Sequence, residues 1–285
     1  TATDDKFRGH LFGSGLWEVS DKWRAGFNTQ LTTDDQYLRQ YDISNEDVLE
    51  NEIYAERFEG RNYFVGRALA FQDVRTSDRS DDQPNILPEF EASYLGDPNS
   101  VLGGRWSFDA SGLSLVRKGN GQDVGRVSAD FGWQRRDVLS FGVVNTFNAN
   151  ARGDYYVISD RDQNAFFGGD VKSTASRFYP VIHNVTSMPF EKPLDNAQLV
   201  IEPTVALTLS TNSKNDTDIP NEDSQDVQID VLNIFNSNRF PGLDRLEDRS
   251  HITYGLRNGI YSDNGDMLEA FLGQSFRFEN GDNPF

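Results

Sequence analysis

The feature that most limits this chain is a period-two alternation sustained over runs long enough to cross a bilayer. In residues 23–31, Trp23, Ala25, Phe27, Thr29 and Leu31 share one parity, opposite Arg24, Gly26, Asn28 and Gln30. In residues 125–133, Val127, Ala129, Phe131 and Trp133 oppose Arg126, Ser128 and Asp130. Runs over 139–149, 199–209 and 268–278 repeat the pattern with Leu, Val, Ile and Phe on one parity. A strand turns successive side chains to opposite faces, so each run has one apolar and one wet side. Runs of roughly 9–11 residues match a tilted membrane-crossing strand, whereas soluble strands more often have about 5–6. The wet sides mix Arg, Asp, Asn and Glu with Gly and Ala, which a barrel interior tolerates and a sandwich core does not. The reading is an all-β antiparallel transmembrane β-barrel of the outer-membrane type, here a partial barrel of about 10–12 strands, counted roughly from such runs.

Further strands are expected at 52–60, 62–74, 86–95, 102–117, 174–187 and 251–261. In 102–117 the apolar parity changes between Trp106, Phe108, Ala110 and Leu113, Leu115, so a bulge is expected near Gly112. Short turns at 118–122 and 263–266 carry Asn/Gly chemistry, and long polar connections fall at 76–85, 159–173 and 212–226. Short turns alternating with long loops are what such barrels use on their two sides. No helix, linker or internal repeat stands out. The chain reads as a single segment, 1–285, with no second domain. Lacking an initiator Met and a leader, it is expected to be a fragment or a processed chain.

Composition narrows the chemistry. The net charge of −18 opposes nucleic-acid binding, which needs a basic face for phosphates. Hydrophobic residues make up 36%, enough for a wall that is apolar on one side only. The absence of Cys removes disulfides and thiolate metal sites. No apolar run is long enough for a spanning helix. His10, His183 and His251 carry no motif, and no Gly-x-Ser-x-Gly elbow is present, so no catalytic residue is expected. The acidic groups around Asp78, Asp81, Asp82 and Asp216, Asp218 read as solvated loop charge, with no calcium-loop pattern. No cofactor and no metal site is expected. Trp17, Trp23, Trp106 and Trp133 are candidates for interfacial girdles.

Several phrases go beyond general barrel patterning. They are Trp23-Arg24-Ala25-Gly26-Phe27-Asn28 with 32–39; Leu87-Pro88-Glu89-Phe90 leading to Leu102-Gly103-Gly104-Arg105; 219–226, which contains Asn221-Glu222-Asp223-Ser224; 233–248, which contains Arg239-Phe240-Pro241-Gly242-Leu243-Asp244-Arg245-Leu246-Glu247; and Tyr254-Gly255-Leu256-Arg257 with 272–278. In this order and spacing they resemble the LptD (OstA/Imp) family of lipopolysaccharide (LPS)-assembly proteins, from about Trp23 to the end, with 219–226 and 233–248 the most specific.

The resemblance implies part of a large bacterial outer-membrane barrel that passes LPS to the outer leaflet. It also implies an LptE-like plug lipoprotein and an LptA-like periplasmic bridge as partners, the latter through a β-jellyroll domain not seen in this sequence. The sequence departs from the family pattern by lacking that domain, some barrel strands at each end and the cysteines of some members, so no gate residue is assigned. Asn221, Glu222, Asp223, Ser224, Arg239, Phe240, Gly242, Asp244, Arg245 and Glu247 are expected to fold inward and shape the lumen or pack near the plug, because carboxylates and guanidiniums placed close together can pin a loop; a solvated outer loop with incidental charge pairs is the alternative. A generic porin, a barrel lipase and a soluble sandwich are the competing readings.

Overall fold

The computed structural model describes residues 7–75, 83–98, 100–118, 121–159, 173–211, 215–247 and 249–278. Alternation becomes strand nearly everywhere it was read. The strands are β1 (His10–Glu18), β2 (Trp23–Thr32), β3 (Val48–Glu59), β4 (Asn62–Asp73), β5 (Pro84–Leu95), β6 (Arg105–Arg117) and β7 (Asp123–Val138). They continue with β8 (Val144–Ser159), β9 (Thr174–Ser187), β10 (Phe190–Leu194), β11 (Ala197–Ser210), β12 (His251–Ser262) and β13 (Met267–Arg277). They form one sheet in chain order, with β9 beside β11 and the short β10 pairing off that path with β11. Thirteen strands exceed the expected ten to twelve because β1 and β10 carry no clean alternation.

Burial is inverted relative to a soluble sheet. In β7 Arg126 is 6% exposed and its neighbour Val127 54%; in β9 Arg177 is 6% exposed and Phe178 66%. Ser128, Arg152, Asp154 and His183 are likewise buried, while Phe131, Tyr155, Val157, Ile182 and Leu207 on the other face are exposed. A sheet that turns its apolar side outward needs hydrocarbon rather than water on that side.

Contacts divide the chain into two compact units. One comprises residues 1–95, 109–129 and 154–176. It contains β1–β5 and the connection 33–47, where a four-residue helical turn (Tyr37–Gln40) seats Leu38 against Leu49 and Val74. Its strand pairing is irregular between β4 and β5, where the register shifts between Arg67 and Leu69. The extra residue falls at Leu87-Pro88, and a proline cannot donate to the ladder, so the strand bulges there. Phe108 and Val116 share a parity and are both exposed, and Leu115 is an apolar residue on the buried face.

The other unit comprises residues 96–108, 130–153 and 177–285. Here the expected strand at 139–149 is cut by a turn. Leu139 N donates to Val143 O at 2.7 Å, and β8 starts only at Val144. The connection before β6 has the same form, with Ser100 N donating to Gly104 O at 3.2 Å. In both turns two successive residues are left-handed: Leu102 (φ 73°) with Gly103 (φ 68°), and Phe141 (φ 63°) with Gly142 (φ 80°). Glycine adopts this region freely, whereas a bulky L-residue there costs about 1–2 kcal/mol. The expected alternation of short and long connections breaks down in the middle of the chain, where 96–104 is longer than the 118–122 connection that follows it, and the longest connection joins β11 to β12. The loops expected at 76–85 and 159–173 and the turn at 118–122 fall wholly or partly outside the described residues.

Candidate functional site

The β11–β12 connection, 211–250, folds back on the charged face of its own unit. Its local form comes from two turns that satisfy each other. The Asp244 carboxylate accepts the backbone N–H groups of Glu222 and Asp223 at 2.7 and 3.1 Å. The Asp223 carboxylate accepts those of Leu243 and Asp244 at 2.9 and 3.0 Å. Ser224 Oγ accepts from Arg245 N at 3.0 Å, and the Asn221 amide brackets Ser224 from both sides at 2.9 and 3.0 Å. Carboxylates that accept backbone N–H groups make stronger bonds than neutral acceptors do. Gly242 is required at this junction. Its φ is +73°, and a Cβ would meet Asp223 O at 2.5 Å.

The paired turns are then fixed to the wall. Arg177 of β9 donates to Asp244 O at 2.7 Å and to Leu243 O at 2.8 Å, and Arg152 of β8 donates to Leu243 O at 2.6 Å. The Tyr179 hydroxyl donates to Glu247 O at 2.7 Å. Leu246 packs with Tyr179 and Val181, and the Asn215 amide brackets its backbone at 2.8 and 3.0 Å.

A buried ionic group closes the arrangement on β12 and β13. Arg239 Nη1 lies 3.1 Å from Glu247 Oε1, with both side chains 1% exposed. The other terminal nitrogen of Arg239 donates to Ser275 Oγ at 2.7 Å and Thr253 Oγ1 at 3.3 Å. Arg277 and His251 Nδ1 stand 3.6 and 3.8 Å from the same carboxylate oxygen. Burial pushes the Arg239 guanidinium down from its ordinary value, and Glu247 pulls it back up. A guanidinium lowered from that starting point is still a cation at neutral pH.

Of the residues singled out in the sequence, Asn221, Asp223, Ser224, Gly242 and Asp244 meet in the paired turns, and Arg239 and Glu247 in the ionic group. Phe240 is buried beside Arg239 in sequence. Glu222 enters the paired turns through its backbone N–H. Arg245 directs its guanidinium to the exposed carboxylate of Asp226 at 2.8 Å, a surface pair. The sequence reading missed the wall side of the contact: Arg152, Arg177, Tyr179, Thr253, Ser275 and Arg277. Parity was the available signal, since Arg177 and Tyr179 share a parity opposite the exposed Phe178. Of the histidines, His183 shares a 2.9 Å contact with Thr208 Oγ1, and His251 Nδ1 donates to Arg249 O at 3.0 Å. Among the described residues no group of three or more acidic or histidine side chains is arranged to hold a metal ion.

Trp17 and Trp23 flank the turn 19–22, Trp106 lies at the start of β6, and Trp133 lies in the second half of β7. Trp17 stacks on Phe27 and Trp23 meets Phe64 edge-on in the first unit. In the second, Trp106 stacks on Phe131 and lies 6.3 Å from Trp133, which meets Phe147.

An antiparallel sheet with an apolar outer face and a long connection packed on its charged face is the wall of an outer-membrane-type β-barrel. The family model described as LPS transport system D, LptD, matches residues 6–285. The chain belongs to the LptD family. It is 24% identical to an LPS-assembly protein LptD of Pseudoalteromonas atlantica over 98% of its own length and 36% of that protein's. The same comparison gives 25% with the Acinetobacter baumannii protein (97% and 35%) and 26% with that of Nitrosococcus oceani (96% and 37%). The chain therefore spans about a third of the length of these curated relatives.

Proposed function

We propose that this chain is one continuous stretch of the wall of a Gram-negative outer-membrane barrel that carries LPS to the outer leaflet. In this reading the wall guides and encloses and does no covalent chemistry. The observation that carries it is the inverted sheet itself, in a chain matched by the LptD family from residue 6 to 285. A charged interior faced by an apolar exterior suits a lipid whose sugars and phosphates need a wet path while its acyl chains need hydrocarbon. The connection 211–250 narrows the lumen by lying against β8, β9, β12 and β13, and the residues from Asn221 to Glu247 hold it there. An LptE-like plug would share that interior, and an LptA-like bridge would deliver lipid through parts of the longer protein.

The test is depletion of the full-length protein in growing cells, with LPS assayed at the cell surface and in the inner compartments. Surface LPS should fall while newly made LPS accumulates inside. Undiminished surface LPS after complete depletion would refute the transport role.

A further inference from the structure

In the first unit the ladder between β2 and β3 stops before β2 does. Pairing runs from Trp23 opposite Arg57 to Asn28 opposite Glu52, and β2 continues to Thr32. On its other side β2 stays paired with β1 as far as Thr32 opposite His10. The end of the β1–β2 hairpin next to the connection 33–47 is therefore a two-stranded ribbon that has parted from β3.

Side-chain amides meet the backbone groups that this parting would strand. Asn51 of β3 accepts from Gln30 N at 2.9 Å and donates to Gln30 O at 3.0 Å. Gln72 of β4 accepts from Thr32 N at 3.0 Å and donates to Thr32 O at 2.7 Å. Each amide offers a donor and an acceptor, and so reproduces what a facing peptide would give. The difference is freedom of movement. A ladder fixes its strands about 4.8 Å apart, whereas an amide on rotatable bonds stays paired while the strand shifts. Next to hydrocarbon an unsatisfied backbone group is very costly, so a strand that moves there needs partners that move with it.

Two further features lie at the level where the ladder ends. Gly13 and Gly15 of β1 stand opposite Thr29 and Phe27, and glycine inside a strand is where a strand bends. Beside them a cavity of about 320 Å³, lined by Phe27, Thr29, Ile53, Ala68, Ala70 and Leu87, leaves the ribbon space to move into. Beyond this level the apolar contact of Leu38 with Leu49 and Val74 holds the connection against β3 and β4.

We propose that the end of the β1–β2 ribbon, with the connection 33–47, is a flap that pivots at Asn28 and Thr29, and that Asn51 and Gln72 are its clasp. Opening widens the gap between β2 and β3 beyond the pivot and breaks no strand pair. The flap is a moving part of the wall, separate from the segment 211–250.

The experiment uses the full-length protein in lipid vesicles, with spin labels carried on bio-orthogonal amino acids. One label stands at Tyr94 of β5, and the other at Leu11, in the flap, or at Leu16, on the other side of the pivot; all three side chains are exposed. Pulsed dipolar spectroscopy reads the distances. The Leu11 pair should show two distances and the Leu16 pair one. Asn51→Leu removes two hydrogen bonds and should raise the open-to-closed ratio of the Leu11 pair by about tenfold or more, with the Leu16 pair unmoved. Gln72→Met, similar in size and without an amide, should do the same, and decides the matter if Asn51→Leu fails to assemble. A single distance for the Leu11 pair in every variant would make the amides a fixed repair of the seam and overturn the proposal. Two distances for both pairs, or a ratio that neither substitution changes, would overturn it as well.

Discussion

Glu247 sets the balance of charge in the buried group. Its carboxylate faces Arg239 at 3.1 Å, Arg277 at 3.6 Å and His251 at 3.8 Å, and of these only Arg277 is partly open to solvent. Removing one member of a buried ion pair strands its partner's charge, at a cost of about 3–5 kcal/mol. Glu247→Ala is therefore expected to release the segment around 239–247 locally, speeding its amide hydrogen exchange by about two to three orders of magnitude while the strands keep their protection. Unchanged exchange in that segment would mean the group holds nothing. Arg239→Lys should not restore the wild-type state, because one ammonium cannot reach Glu247, Ser275 and Thr253 in the fork that a guanidinium spans. By contrast Arg245→Ala removes only the pair with the exposed Asp226, worth about 0–1 kcal/mol.

The strands obey a parity rule with a measurable consequence. Ile182 sits midway along β9 on the exposed face, between the buried Val181 and His183. Ile182→Arg puts a cation into hydrocarbon and should cost about 2–4 kcal/mol, read as the unfolding free energy of the full-length protein in vesicles. Ile182→Leu is the matched control, and equal stability of the two variants would contradict the assignment of faces. Parity is also why most of the sheet was legible in the sequence. It failed where apolar residues fall side by side, as with Leu11-Phe12 and Leu16-Trp17 in β1, and where a strand is five residues long and contains Pro193, as in β10. It misled at 139–149, because Leu139 and Phe141 in the turn happen to share the parity of Phe147 in the strand. The clustered charges of 219–247 were visible as a local pattern. Their partners were not, since Arg152 reaches Leu243 across 91 residues and Arg239 reaches Ser275 across 36.

At the scale of the molecule, β1 and β13 are the first and last strands in the sheet's pairing order. Each outer edge presents a row of backbone donors and acceptors, and each such group left unsatisfied in hydrocarbon costs several kilocalories per mole. Residues 1–285 produced alone and refolded in detergent are expected to self-associate through these edges. A stable monomer by light scattering would count against that. The pairing order gives the connection 211–250 a place in time as well as in space. Two of its anchors, Arg152 and Arg177, are synthesised before it, but Ser275 and Arg277 come after it on the final strand. Until β13 is laid down, Arg239 and Glu247 lack Ser275 and Arg277, and the ionic group around them is incomplete. Its seating is thus the last local event in building this part of the wall. A chain stalled before β13 would display an unburied ionic cluster where a finished one shows a closed surface, a difference that a quality-control protease can read.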